Sequence, residues 1–149
     1  MIYLVLFGAP AAIAIISGDS AHSRLKGQVS FIPNPEGVLI VADVRGLPYS
    51  ENGFFAMHVH EGGDCRGKGF PNTGAHYNPE KLPHPQHRGD LPPLLSNGGR
   101  AYMAVLSNRL RISDIIGRTL VIHQGPDDFT TQNAGNAGDK IACGVILGV

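Results

Sequence analysis

Through most of the chain apolar and polar positions alternate with a period of two, in runs too short for helices. Residues 28–32 read Gln-Val-Ser-Phe-Ile and stop at the turn-forming run Pro-Asn-Pro-Glu-Gly. Successive side chains of a strand point to opposite faces, so this is the pattern of a half-buried strand closed by a turn. Residues 38–44, rich in β-branched side chains, form the next predicted strand and end before Gly46. The same reading predicts strands over residues 12–16, 54–60, 100–106, 109–115, 119–123 and 141–146, and no convincing helix. Seven or eight short strands with turn signals between them predict an antiparallel sandwich or barrel.

Two stretches break the rhythm. Residues 61–95 are dominated by Gly, Pro, His and charged types, and residues 124–140 are equally irregular. Loops of this length inside a domain are usually functional or disordered. The density of histidine in the first points to function.

Composition changes this picture little. A chain of 149 residues is the usual size of one domain, and 42% hydrophobic residues suit a globular core. Twenty glycines and eleven prolines agree with many turns. Twelve basic residues balance twelve acidic ones, which argues against a nucleic-acid partner. Residues 1–18 are almost wholly apolar, but they lack the positive start of a signal peptide. Pro10 interrupts the run, which is also short for a membrane span, so no membrane partner is predicted. Residues 1–10 are therefore taken as a hydrophobic leader of unexplained role and residues 11–149 as the domain. The cytoplasm is the expected compartment, with an extracytoplasmic or secreted location as the alternative. Cys65 and Cys143 permit one bridge or two buried thiols, and composition leaves both open.

The candidate chemistry lies in six of the seven histidines. In the strand Met57-His58-Val59-His60, His58 and His60 share a face, roughly 6.5–7 Å apart, a span one metal ion can bridge. In the first irregular stretch His84, His87 and Asp90 recur at three-residue intervals, and His76 precedes them as a fourth candidate. That mixed nitrogen and oxygen set is one zinc accepts tetrahedrally. His123 ends the apolar strand 119–123, where it abuts the second irregular stretch, whereas His22 sits in a polar turn and reads as an ordinary surface residue. Two four-coordinate metals need eight ligands, and these groups number one fewer, so one ligand must be shared. A deprotonated imidazole, with a lone pair on each nitrogen, can bridge. An all-nitrogen set suits Cu(II), and the set containing Asp90 suits zinc.

The segments His58-Val59-His60-Glu61, Gly74-Ala75-His76-Tyr77-Asn78-Pro79, His87-Arg88-Gly89-Asp90-Leu91 and Gly135-Asn136-Ala137-Gly138, running into Ala142-Cys143-Gly144, resemble the copper/zinc superoxide dismutase family. The resemblance runs in family order from Ala11 to the C-terminus. It implies an eight-stranded Greek-key β-barrel or sandwich with a long metal-binding loop and a second active-site loop. Carried over position by position, it implies His58, His60, His76 and His123 as copper ligands. His76, His84, His87 and Asp90 become the zinc ligands, with His76 as the bridge. Cys65 and Cys143 fall on the family disulfide, and Asp127 on a carboxylate that ties a copper histidine to a zinc histidine. The implied activity is dismutation of superoxide to dioxygen and hydrogen peroxide. Copper is alternately reduced and reoxidised, His76 carries a proton, and zinc is the structural partner. A homodimer is left open.

The chain also departs from the family pattern. Lys140 stands where the family has an arginine beside copper, which keeps the charge but loses the planar fork. Ala134 replaces a threonine that narrows the channel. The stretch between His123 and Lys140 is shorter than in the animal enzymes, and their guiding charges cannot be located in it.

Overall fold

The computed structural model describes residues 8–149. Residues 1–7 of the expected leader lie outside them. Among the described residues nine strands follow one another: β1 (Ala12–Gly18), β2 (Lys26–Asn34), β3 (Gly37–Arg45), β4 (Phe54–Phe55), β5 (Met57–His60), β6 (Leu94–Leu95), β7 (Ala101–Ser107), β8 (Thr119–His123) and β9 (Lys140–Gly148). Seven form an antiparallel sheet in the order β5-β8-β9-β1-β2-β3-β7, and β4 pairs with β6. After β3 the chain crosses to the far edge of the sheet at β5 and returns to β7. This is the Greek-key crossover. A single residue, Ala56, separates β4 from β5, so one segment pairs with β6 through β4 and with β8 through β5. With β6 packed against β7, the sheet curls into the barrel-like sandwich that the pattern predicted.

Alternation sets the core. Ala12, Ala14 and Ile16 of β1 face inward, while Ile15 between them is exposed. Leu120 and Ile122 of β8 join Met57 and Val59 of β5 in the same cluster. Strand β5 is buried on both faces, because the long loop covers the side that carries its histidines. Two backbone bonds fix that cover: the Val59 N–H donates to Gly89 O and the Tyr77 N–H to Val59 O, both at 2.8 Å. The disulfide Cys65–Cys143 pins the loop to β9, where Phe70 and Val121 pack beside it.

One predicted strand is corrected. Over residues 109–115 the structure holds a helical turn, Ile112–Ile115. A strand that buried Leu110 and Ile112 would bury Asp114 on the same face. The turn instead buries Ile115 and leaves Asp114 exposed at its start, where an acid suits the helix dipole.

Candidate metal centre

Strand alternation puts Met57 and Val59 in the core, and therefore His58 and His60 on the opposite face of β5. On the neighbouring strand β8, His123 shares the face of Thr119 and Val121, and the pairing with β9 shifts register at Ile122/His123. Two isolated bridges, His60 with His76 and His58 with Asp90, lay the loop against this face. Four ligand atoms of His58, His60, His76 and His123 come within 4.8 Å of one another, and so do four of His76, His84, His87 and Asp90. All seven residues are buried.

The nitrogens facing each cluster are set by what the opposite nitrogens do. His60 Nδ1 donates to Gly74 O at 2.8 Å and His123 Nδ1 to Gly138 O at 3.1 Å. A carbonyl only accepts, so in each neutral ring the lone pair sits on Nε2. Burial pushes His60 down to about 2 and His123 down to about 3, and both rings are neutral at pH 7. Their Nε2 atoms nevertheless face each other at 3.3 Å. Two opposed lone pairs in a buried site repel unless a cation lies between them. Into the same space point His58 Nδ1 and His76 Nε2, both buried with no hydrogen-bond partner. That gives four nitrogen lone pairs around one point.

The second cluster is equally suited to a cation. His76 Nδ1 lies 2.9 Å from Asp90 Oδ1 and 3.3 Å from His87 Nδ1. His84 Nδ1 is 3.1 Å from Asp90 Oδ2, but without hydrogen-bond geometry, and His87 Nδ1 is 3.3 Å from the same oxygen. The edges of a tetrahedron of ligands at 2.0–2.1 Å from zinc are about 3.3–3.4 Å long, so these spacings fit with slight expansion. Burial works to raise the Asp90 carboxyl, but the hydrogen bond and charge of His76, with the charges of His84 and His87, outweigh it and lower it. An ionised Asp90 leaves this cluster one negative charge and three nitrogens. His76 alone offers a nitrogen to each cluster.

Asp127 joins the two sites from outside. Its Oδ2 accepts from His58 Nε2 and its Oδ1 from His84 Nε2, both at 2.8 Å, with the carboxylate almost wholly buried. Desolvation opposes ionisation, yet these two bonds and the Phe129 N–H hold the carboxyl well below its usual range. The bonds also fix which nitrogen of His58 and of His84 faces inward, the usual task of outer partners in metal sites. Gly135, at φ 68°, has to be glycine: a Cβ there would meet Asp127 Oδ1 and come within 2.7 Å of His84 Nε2.

Lys140 and Ala134 line a cavity of about 620 Å³ together with His60, His76 and His123. The Lys140 ammonium donates to Thr73 Oγ1 at 2.7 Å, and to Gly74 O and Phe70 O at 3.3 and 3.4 Å. His22 stays apart, in a surface pair with Asp19 at 2.6 Å.

Some functional contributors had no signal in the sequence. The carbonyls of Gly74 and Gly138 orient two rings, and backbone atoms carry no residue signature. Gln132 accepts the His84 N–H at 2.8 Å and donates to the His84 carbonyl at 2.9 Å, which clamps that ligand from the second loop.

Residues 25–146 match the family model for copper/zinc superoxide dismutase. The chain is 36% identical over 142 residues to "Superoxide dismutase [Cu-Zn] 2" of Aquifex aeolicus, which covers 85% of this chain and 82% of that one. It is 38% identical over 128 residues to the copper/zinc superoxide dismutase of Legionella pneumophila, covering 80% and 76%. It is also 35% identical over 150 residues to the human copper chaperone for superoxide dismutase, covering 91% of this chain and 52%, about half, of the chaperone.

Proposed function

The chain belongs to the copper/zinc superoxide dismutase family, and we propose that it is an active member, converting two superoxide anions and two protons to dioxygen and hydrogen peroxide. One observation carries this reading. The all-nitrogen cluster is complete, with the lone pairs of His60 and His123 opposed at 3.3 Å and those of His58 and His76 turned to the same point. His58 Nδ1, His60 Nε2, His76 Nε2 and His123 Nε2 would hold copper. His76 Nδ1, His84 Nδ1, His87 Nδ1 and an Asp90 oxygen would hold zinc.

Copper held by these four nitrogens would supply one-electron redox chemistry toward superoxide. The chain's residues do the remainder. His76 Nε2, with no protein partner of its own, takes a proton in the reduced half of the cycle and yields it to the peroxide product. His76 Nδ1, held in the zinc cluster, keeps the ring in place for both. Asp127 keeps His58 and His84 in one tautomer and position. Lys140 places a positive charge beside the cavity. Three nitrogens and an Asp90 oxygen would make a full set of protein ligands for zinc, which suits a structural rather than a hydrolytic role.

The similarity to copper chaperones supports one alternative, a domain that binds copper without turning superoxide over. A full set of four histidines favours the enzyme. Superoxide decay after pulse radiolysis separates the two readings, using protein carrying one copper and one zinc per chain. We expect fast catalysed decay that His123→Ala abolishes. Equal rates for the two proteins would remove the enzyme reading.

A further inference from the structure

Two histidines of the four-nitrogen cluster, His60 and His76, are followed directly by Glu61 and Tyr77, and one side chain reaches both of those neighbours. Arg118 Nη1 donates to Glu61 O at 2.9 Å, and its guanidinium carbon lies 4.3 Å from the centre of the Tyr77 ring. Tyr77 is buried in the core cluster, so its ring is a fixed platform for the cation. Its backbone is fixed as well, with the N–H on Val59 O at 2.8 Å and the carbonyl accepting from Gly89 at 2.9 Å.

The guanidinium is itself held. Its Nε donates to Asp114 O at 2.8 Å, four residues back in the helical turn Ile112–Ile115. The Arg118 N–H donates to Ile115 O at 3.0 Å, and its carbonyl accepts from Ile146 of β9 at 2.9 Å. This segment also lies directly on the start of the long loop: a Cβ at Gly63 would collide with Gly117 O, and Thr119 Oγ1 donates to Gly62 O at 2.9 Å. The turn thus supplies one acceptor, the end of β5 a second, and the covering loop an aromatic face. Among the described residues the side-chain hydrogen bonds of Arg118 go to Asp114 and Glu61, and none goes to the segment that carries His84, His87 and Asp90.

We infer that Arg118 is a positioning residue of the four-nitrogen cluster. It fixes the strand end after His60 against the loop residue after His76, and so sets how those two rings meet one ion. A planar guanidinium suits this task, since it donates from its edge while its face stacks; an ammonium has neither the fork nor the face. The inference deepens the dismutase reading and rests on it for the ion being copper, but its test needs no superoxide.

Copper- and zinc-loaded protein is compared with Arg118→Lys, Arg118→Gln and Tyr77→Phe. The readouts are the Cu(II) electron paramagnetic resonance spectrum and the rate at which each metal is lost to a chelator. Both Arg118 variants are expected to shift and broaden the copper signal and to lose copper about tenfold faster, a usual cost of removing an outer partner of metal ligands. Zinc loss should change little, because Arg118 braces the neighbour of only one of its four ligands. Tyr77→Phe keeps the aromatic face and should match the parent in every readout. The inference is overturned if Arg118→Lys retains the parent's copper signal and copper-loss rate, or if copper and zinc are lost faster in equal measure, as a general weakening of the fold would produce. A parent protein that takes up no copper overturns it together with the dismutase reading. The expected copper effects, in a parent that leaves superoxide decay uncatalysed, remove the dismutase reading alone.

Discussion

Two neutral rings forced face to face, His60 and His123, carry the pH behaviour of the metal-free protein. Burial keeps His60 at about 2 and His123 at about 3, whereas both take the ordinary value of 6.5 in an unfolded chain. The folded values are depressed, so below about pH 6.5 the unfolded chain binds more protons than the folded one. Stability is complete above that pH and is lost as pH falls toward the folded values. Each ring contributes a slope of about 1.4 kcal/mol per pH unit across that window. Urea unfolding of metal-free protein is expected to show a clearly lower midpoint at pH 5 than at pH 7; equal midpoints would contradict the neutral buried rings. Bound metal reinforces the sign, since it needs the same unprotonated nitrogens. Residue types in the sequence were enough to nominate all seven converging groups. The partners that choose which nitrogen faces inward were not legible, because Gly74 O and Gly138 O are main-chain atoms.

At the level of elements, the legible features were those with a period. The alternation in β5 placed two histidines on one face, and no pattern indicated that this face would be covered. The covering loop pairs irregularly with the strand, through bonds such as Val59 N–H to Gly89 O, so no hydrophobic period announces it. The misread segment 109–115 shows the reverse problem: a short apolar alternation fits a strand until one asks where Asp114 would point. Gln132 shows how the two loops depend on each other. Its amide satisfies both backbone groups of His84, and removing it leaves a partly buried N–H and C=O without partners. Gln132→Ala is therefore expected to release zinc about tenfold faster to a chromophoric chelator. The Cu(II) spectrum should change little, since Gln132 touches none of the four nitrogens. An unchanged release rate would show that the clamp does not restrain the ligand.

Across the whole molecule, the barrel confines its chemistry to one outer face of β5 and β8 and leaves β1, β2, β3 and β7 to the core. The disulfide then ties the first loop to β9, closing a separation of 78 residues, which chain-entropy reasoning values at roughly 4–5 kcal/mol as an upper figure. That the sheet would close was legible from strand number and spacing. The closing joint, one segment pairing with β6 before Ala56 and with β8 after it, depends on partners distant in sequence and was not. One ring belongs to both clusters and one carboxylate outside them holds a histidine of each, and this has a consequence for how the protein fills. An ion in either position sets the His76 ring and, through Asp127, a histidine of the other position, so the second ion meets a prepared set of ligands. Given copper and zinc at half of full stoichiometry, the population should separate into empty chains and chains carrying both, with single-ion chains scarcer than independent filling allows. Native mass spectrometry counts these species directly, and a purely statistical distribution would mean that the shared ring transmits nothing.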